Sequence, residues 1–162
     1  MSTKTEKVSG MKTIKISNKD LLNKFYPSFK ELSALPSNPK TGRLKYAIKR
    51  SLGSLQDAVE RYSKRRQEIF EERCKMDESG NPKFDKEKNY SFETKELRKE
   101  AMKELGNLDK EIVDLTIYPV RKENIVSGTS QLSIGMELDL GEFIIPTAEE
   151  LELLEELNKE TK

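Results

Sequence analysis

RLKYAIKRSLGSLQDAVERYSKRRQEIFEERCK, from Arg43 to Lys75, is the stretch whose reading decides the fold. Ile48, Leu52, Leu55, Val59, Tyr62, Arg66 and Ile69 follow one another at alternating intervals of four and three, which keeps one stripe along a helix. At about 1.5 Å per residue the predicted helix is roughly 50 Å long. Gly53 weakens it slightly and Arg66 interrupts the apolar seam, while Lys49, Arg50, Arg61, Lys64, Arg65, Glu68 and Glu71 occupy the other faces.

Downstream, Asp77, Ser79, Gly80, Asn81 and Pro82 are dense turn formers that end this helix and reverse the chain. Ser91 is the predicted cap of a second helix, in which Leu97, Ala101, Leu105, Leu108 and Ile112 recur at intervals of 4, 4, 3 and 4. A helix with one apolar stripe cannot hide it alone. The two seams are therefore expected to zip into a long antiparallel, coiled-coil-like hairpin, residues 43–75 with 91–112.

The flanks read differently. Ile14 and Ile16 alternate with Lys12 and Lys15, the period of a half-buried strand. Ser17 or Asn18 is placed to cap a helix of about 19–34, with a kink or break expected near Tyr26 because Pro27 lacks an N–H. Leu35 to Gly42 is a loop with two prolines and a glycine. Val113, Leu115 and Ile117 alternate as a second strand, and Met136, Leu138 and Leu140 as a third, followed by apolar Phe143, Ile144 and Ile145. Thr147 with Glu150 three residues on is a capping box for a last helix, about 148–158. Its leucines 151, 153, 154 and 157 are expected to face the body and its glutamates solvent. No internal repeat is evident. The predicted class is α+β, mainly α: a disordered tail, 1–10, then one domain, 11–162, with a hairpin over 43–112, a small sheet from 11–17, 112–118 and 136–145, and a short C-terminal helix.

Of the 162 residues, 34% are hydrophobic and 36% charged, a balance suited to long solvent-washed helices. The net charge of +1 gives no global field toward nucleic acid or an anionic membrane. Its distribution is uneven: residues 1–75 carry 18 basic against 8 acidic side chains, and the remainder 12 against 21. Folding the halves together would satisfy much of that asymmetry internally. No apolar run is long enough to cross a bilayer, and MSTKTEKVSG has no hydrophobic region behind its charges, so neither a membrane span nor a signal peptide is expected. A single cysteine, Cys74, fits a reducing compartment.

The chain has no histidine, the most frequent general acid or base near neutral pH and the commonest zinc ligand. Cys74 would be a nucleophile without a histidine base. Asp77, Ser79, Asn81 and Asp85 resemble the start of a calcium loop, but Pro82 stands where the turn needs glycine and Lys88 where a glutamate should close the cage. No glycine-rich phosphate loop is present, and no cofactor or metal is expected. The densest basic cluster is Arg61, Lys64, Arg65 and Arg66, the candidate partner-binding residues.

MKTIKISN from Met11, LKYAIKRSLGSLQDAVERYSKRRQEI, the DESGNP turn and the PTAEELELLEEL tail together resemble an uncharacterised family of small proteins of tailed bacteriophages and prophages, over about Met11 to Leu157. The resemblance implies a phage origin, life in the cytoplasm of an infected bacterium and no enzymatic activity. It supplies no functional residues. The tail 1–10 and the segment 122–135 depart from the family's shape. The expected function is a non-enzymatic protein-binding module, an accessory factor or an inhibitor of a host or defence protein. The alternatives are a virion structural or assembly protein, in which the hairpin packs into a homo-oligomer, and a nucleic-acid-binding protein using the basic face of the hairpin.

Overall fold

The computed structural model describes residues 10–126 and 133–160; the predicted tail apart from Gly10, and the middle of the 122–135 segment, lie outside these ranges. Strand β1, Lys12–Ser17, pairs antiparallel with β2, Ile112–Ile117, so that Ile14 meets Leu115 and Ile16 meets Val113. Ser17 ends the strand and caps the next helix, its Oγ accepting from the Asp20 N–H at 3.1 Å. That helix, α1, runs as Asn18–Asp20, a π turn over Leu21–Phe25, and Tyr26–Ser33. The π turn stands where a break was expected. Pro27 has no N–H to offer, and widening the ladder just ahead of it lets the helix continue.

The decisive stretch forms one helix, α2, Gly42–Glu71, and the second seam forms α3, Lys95–Lys110. Thr94, not Ser91, caps α3, accepting from the Leu97 N–H at 3.1 Å. The two seams do not zip along their whole length. The proximal half of α2 buries Leu44, Ala47, Ile48, Leu55 and Ala58 against α1 and the β1–β2 sheet, in one core with Phe25, Phe29, Leu115, Ile117 and Phe143. Only its distal part meets α3, where Ile69 and Phe70 pack with Ala101 and Leu108 in a smaller core. Leu52, drawn from the predicted seam, is 36% exposed, and Ile112 has left the helix for β2 and is 61% exposed. The chain is thus mainly helical α+β, with one long helix serving two cores.

Two serines fasten α2 to the sheet. Ser51, fully buried, donates from Oγ to the Ala47 carbonyl at 2.8 Å and accepts from the Tyr118 N–H at 2.8 Å. Ser54 Oγ accepts from the Thr116 N–H at 2.9 Å. Residues three apart on a helix share a face, and these two satisfy N–H groups that β1 leaves open on alternate residues of the β2 segment.

The reversal between α2 and α3 is a repeat that sequence inspection does not reveal. KMDESGNP, from Lys75, and KFDKEKNY, from Lys83, take the same path. Asp77 and Asp85 each donate their N–H to the asparagine four residues on, at 2.8 Å. Their Oδ1 atoms accept from the N–H groups two and four residues on, at 2.9 to 3.0 Å. Gly80 and Lys88 hold the same position with φ of +81° and +66°. The units close on each other through Lys75 N–H to Ser91 O, Lys83 N–H to Lys75 O and Ser91 N–H to Lys83 O, at 2.8, 2.8 and 3.0 Å.

After β2, β3 (Val120–Arg121) leads into α4 (Lys122–Val126), so the start of the 122–135 segment is helical. The strand expected at 136–140 is instead α5, Ile134–Leu140, capped by Ser133 Oγ on the Met136 N–H at 3.1 Å. An alternation only five residues long contains a helical spacing of four. Met136 and Leu140 pack inward while Leu138, between them, is 76% exposed. A 3₁₀ turn, Gly141–Phe143, carries Phe143 into the first core, 5.6 Å from Phe29 by ring centroids. β4, Ile144–Ile145, pairs parallel with β3, a second small sheet separate from the first. Helix α6, Ala148–Glu160, begins at the expected capping box, with Thr147 Oγ1 accepting from the Glu150 N–H at 3.2 Å. Its leucines are not buried: Leu151, Leu153 and Leu154 are about half exposed, and no residue of α6 is buried.

Candidate protein-binding surface

The four predicted basic residues lie on the distal half of α2, all exposed, and the structure divides them. Arg61 Nε donates to the Asp57 carbonyl one turn back, at 3.3 Å, and Lys64 faces solvent. Arg65 turns toward carboxylates: Glu68 at 3.3 Å, Glu72 at 3.6 Å and Glu104 of α3 at 3.7 Å. The hydrogen bond to Glu68 raises its pKa further, with the charges of Glu72 and Glu104 acting the same way. Arg66 goes the other way and lies over the Phe70 ring, 5.0 Å from its centroid.

Arg66 is the member of the cluster that reaches a concavity. A groove of about 760 Å³ opens between the distal end of α2, the start of α3 and the second repeat unit of the reversal. Its floor is aromatic. Phe70 stacks on Tyr90 at 5.1 Å with the planes 2° apart, and Phe92 lies 6.2 Å from Phe70. Burial raises the Tyr90 phenol pKa, and the Glu71 charge adds to the shift. The rim carries Arg66, Lys75, Lys88, Lys95 and Arg98. Among the described residues none of these five cations makes an ion pair within 4.0 Å.

That sets the rim apart from the basic side chains that join the two halves of the chain. Lys12 pairs with Glu142 at 2.7 Å and Lys15 with Asp114 at 2.9 Å. Arg73 pairs with Glu104 at 2.5 Å and Glu100 at 3.6 Å, and donates to the Ile69 carbonyl at 3.2 Å. The groove also holds Asp85, Glu87 and Glu93, but Asp85 Oδ1 is engaged by the Glu87 and Asn89 N–H groups. Lys75, Lys88, Lys95 and Arg98 come from three different segments, so no local run of sequence announces them.

Asp77 and Asp85 close turns, and no cluster of three potential metal ligands occurs among the described residues. Cys74 is half-buried, with burial raising its thiol pKa. No helix among the described residues is long and apolar enough to cross a membrane. A second hollow, about 490 Å³, lies toward the N-terminal end of α2 beside Tyr46, Tyr118 and Ile145. Comparison with protein-family models, with curated proteins and with solved structures gives no match to this chain.

Proposed function

We propose that the chain is a non-enzymatic protein-binding module that takes an acidic, apolar segment of a partner into the groove between α2 and α3. The supporting observation is the rim of five cations, which make no ion pair with any of the described residues, around Phe70, Tyr90 and Phe92. An aromatic floor supplies apolar area, and unpaired cations around it select acidic partners. In this reading α2 and α3 form an antiparallel hairpin that presents the groove at its distal end, with Arg61 and Lys64 extending the basic field. The resemblance to small tailed-phage proteins makes the role that of an accessory factor or an inhibitor of a host or defence protein, acting in the bacterial cytoplasm.

The test is capture from phage-infected cells with immobilised wild type and with the Lys95→Glu/Arg98→Glu variant, followed by mass spectrometry. Proteins retained by wild type and lost from the variant support the reading. Identical profiles overturn it. Stacking rings with cations also suit single-stranded nucleic acid. A gel shift with a single-stranded oligonucleotide, lost on the same charge reversal, would replace a protein partner by a nucleic acid.

A further inference from the structure

We infer that the segment received by the groove is helix α6 of a second copy of this chain, so that the protein associates with itself; the inference rests on the groove being a docking site. Helix α6 has 13 residues and buries none of them. Leu151, Leu153 and Leu154 are 45%, 59% and 51% exposed. An isolated helix shorter than about 12–15 residues is marginal in water, so a helix of this length needs an apolar contact to persist. Within one copy the base is held by the Thr147 cap and by Lys122, which meets Glu150 at 2.5 Å and Glu137 at 2.9 Å.

Charge selects the partner surface. From Ala148 to Glu160 the helix carries six glutamates against Lys159 alone. The groove offers the complement: an aromatic floor for leucines, and for the flanking glutamates cations that pair with none of the described residues. A helix with apolar anchors seated in a groove is a recurrent recognition mode. Every copy carries both surfaces, and a reciprocal exchange about a two-fold axis closes the assembly.

The geometry favours a second copy over the helix of the same chain. Ile145 and Tyr46 line one hollow near the start of α2, and the groove begins at Arg66, twenty residues further along that helix. Twenty residues of helix span roughly 30 Å. Helix α6 is roughly 20 Å long and is pinned at its base by Glu150, so its own leucines do not reach the groove.

Light scattering after size exclusion, with sedimentation velocity over a series of concentrations, reads the outcome on the full chain. Wild type is expected to rise from the 18.7 kDa monomer to a multiple of that mass. Lys95→Glu/Arg98→Glu and, separately, Leu151→Ser/Leu154→Ser are each expected to weaken self-association by on the order of tenfold or more. Far-ultraviolet circular dichroism confirms that each variant is folded. Mixing the two variants is the decisive arm: one keeps an intact helix and the other an intact groove, so mixed dimers should form more tightly than either variant alone. A wild type that stays monomeric throughout, variants that associate as wild type does, or a mixture no tighter than its components overturns the inference. If wild type is monomeric while capture from cells still depends on Lys95 and Arg98, the second copy is excluded and the groove reading stands. If capture is insensitive to those residues as well, both fall.

Discussion

The Tyr62 hydroxyl donates a 2.7 Å hydrogen bond to Asp109 Oδ1, joining the distal half of α2 to the end of α3. The bond sits where α2 passes from its first core to its second. Burial, this hydrogen bond and the Asp109 charge push the phenol pKa from 10.0 up to about 12, with Arg66 opposing. Because the folded-state value is the higher one, the stabilisation is complete below about pH 10 and is lost as pH rises through about 12. Tyr62→Phe should reduce stability near neutrality by about 1 kcal/mol. The gap to wild type should narrow as the pH is raised past 10. Urea unfolding of both proteins across that interval checks it, and a constant gap would show that Tyr62 does not titrate in this way.

The division of α2 between two cores predicts unequal effects along one stripe. Leu55 is fully buried among the side chains of the first core, whereas Leu52, one turn earlier, is 36% exposed. Leu55→Ala should lower stability by about 2–5 kcal/mol. Leu52→Ala should cost about 1 kcal/mol or less. Were the seam a continuous coiled coil, the two truncations would be similarly damaging, so equal losses in denaturant titrations would restore the zipped arrangement.

Periodicity made α2 legible because a face of leucines and isoleucines at intervals of three and four has one helical solution. It did not say what covers that face: Leu55 packs equally well against a helix or a sheet, and the core it joins draws on α1, β2 and Phe143, far apart along the chain. The caps at Ser17 and Thr147 were readable since a short oxygen-bearing side chain ahead of a periodic run has a local job. Residues 136–140 are ambiguous in sequence because five positions fit both periods, and the Ser133 cap that decides between them lies outside the alternation. The repeat at the reversal was hidden by its side chains, Gly80 matching Lys88 and Pro82 matching Tyr90, while the shared Asp and Asn do the turning. Of the candidate site, Arg66 was visible as one of a basic cluster; the rest of the rim is assembled from α3 and the reversal and has no signature in linear spacing.

Ser51 had no visible role in the sequence, yet it carries a specific expectation. Its hydroxyl is the acceptor for the Tyr118 N–H in a place without exposed surface. Ser51→Ala leaves that N–H unpaired and should cost about 1–3 kcal/mol. The same change at Ser54 should be milder, since Ser54 is only half-buried whereas Ser51 is fully buried. Amide hydrogen exchange separates the two: Ser51→Ala should accelerate exchange at Tyr118 while leaving Thr116 protected. Unchanged protection at Tyr118 would mean that another acceptor serves it.

The equivalence of the two repeat units leads to an asymmetric pair of substitutions at one structural position. Gly80 adopts φ of +81° without steric penalty, whereas Lys88 holds +66° with a Cβ that crowds its own carbonyl. A left-handed conformation costs a residue with a side chain roughly 1–2 kcal/mol. Lys88→Gly relieves that strain, and after the added flexibility of the unfolded chain is subtracted it should stabilise the protein by about 0.5–1 kcal/mol. Gly80→Ala imposes the strain on the first unit and, after the lower flexibility of the unfolded chain offsets part of it, should destabilise by about 0.5–1 kcal/mol, although open space surrounds the new methyl group. Opposite signs at matched positions in thermal or urea unfolding are the expected result. Equal signs would show that the units differ in backbone conformation at this residue.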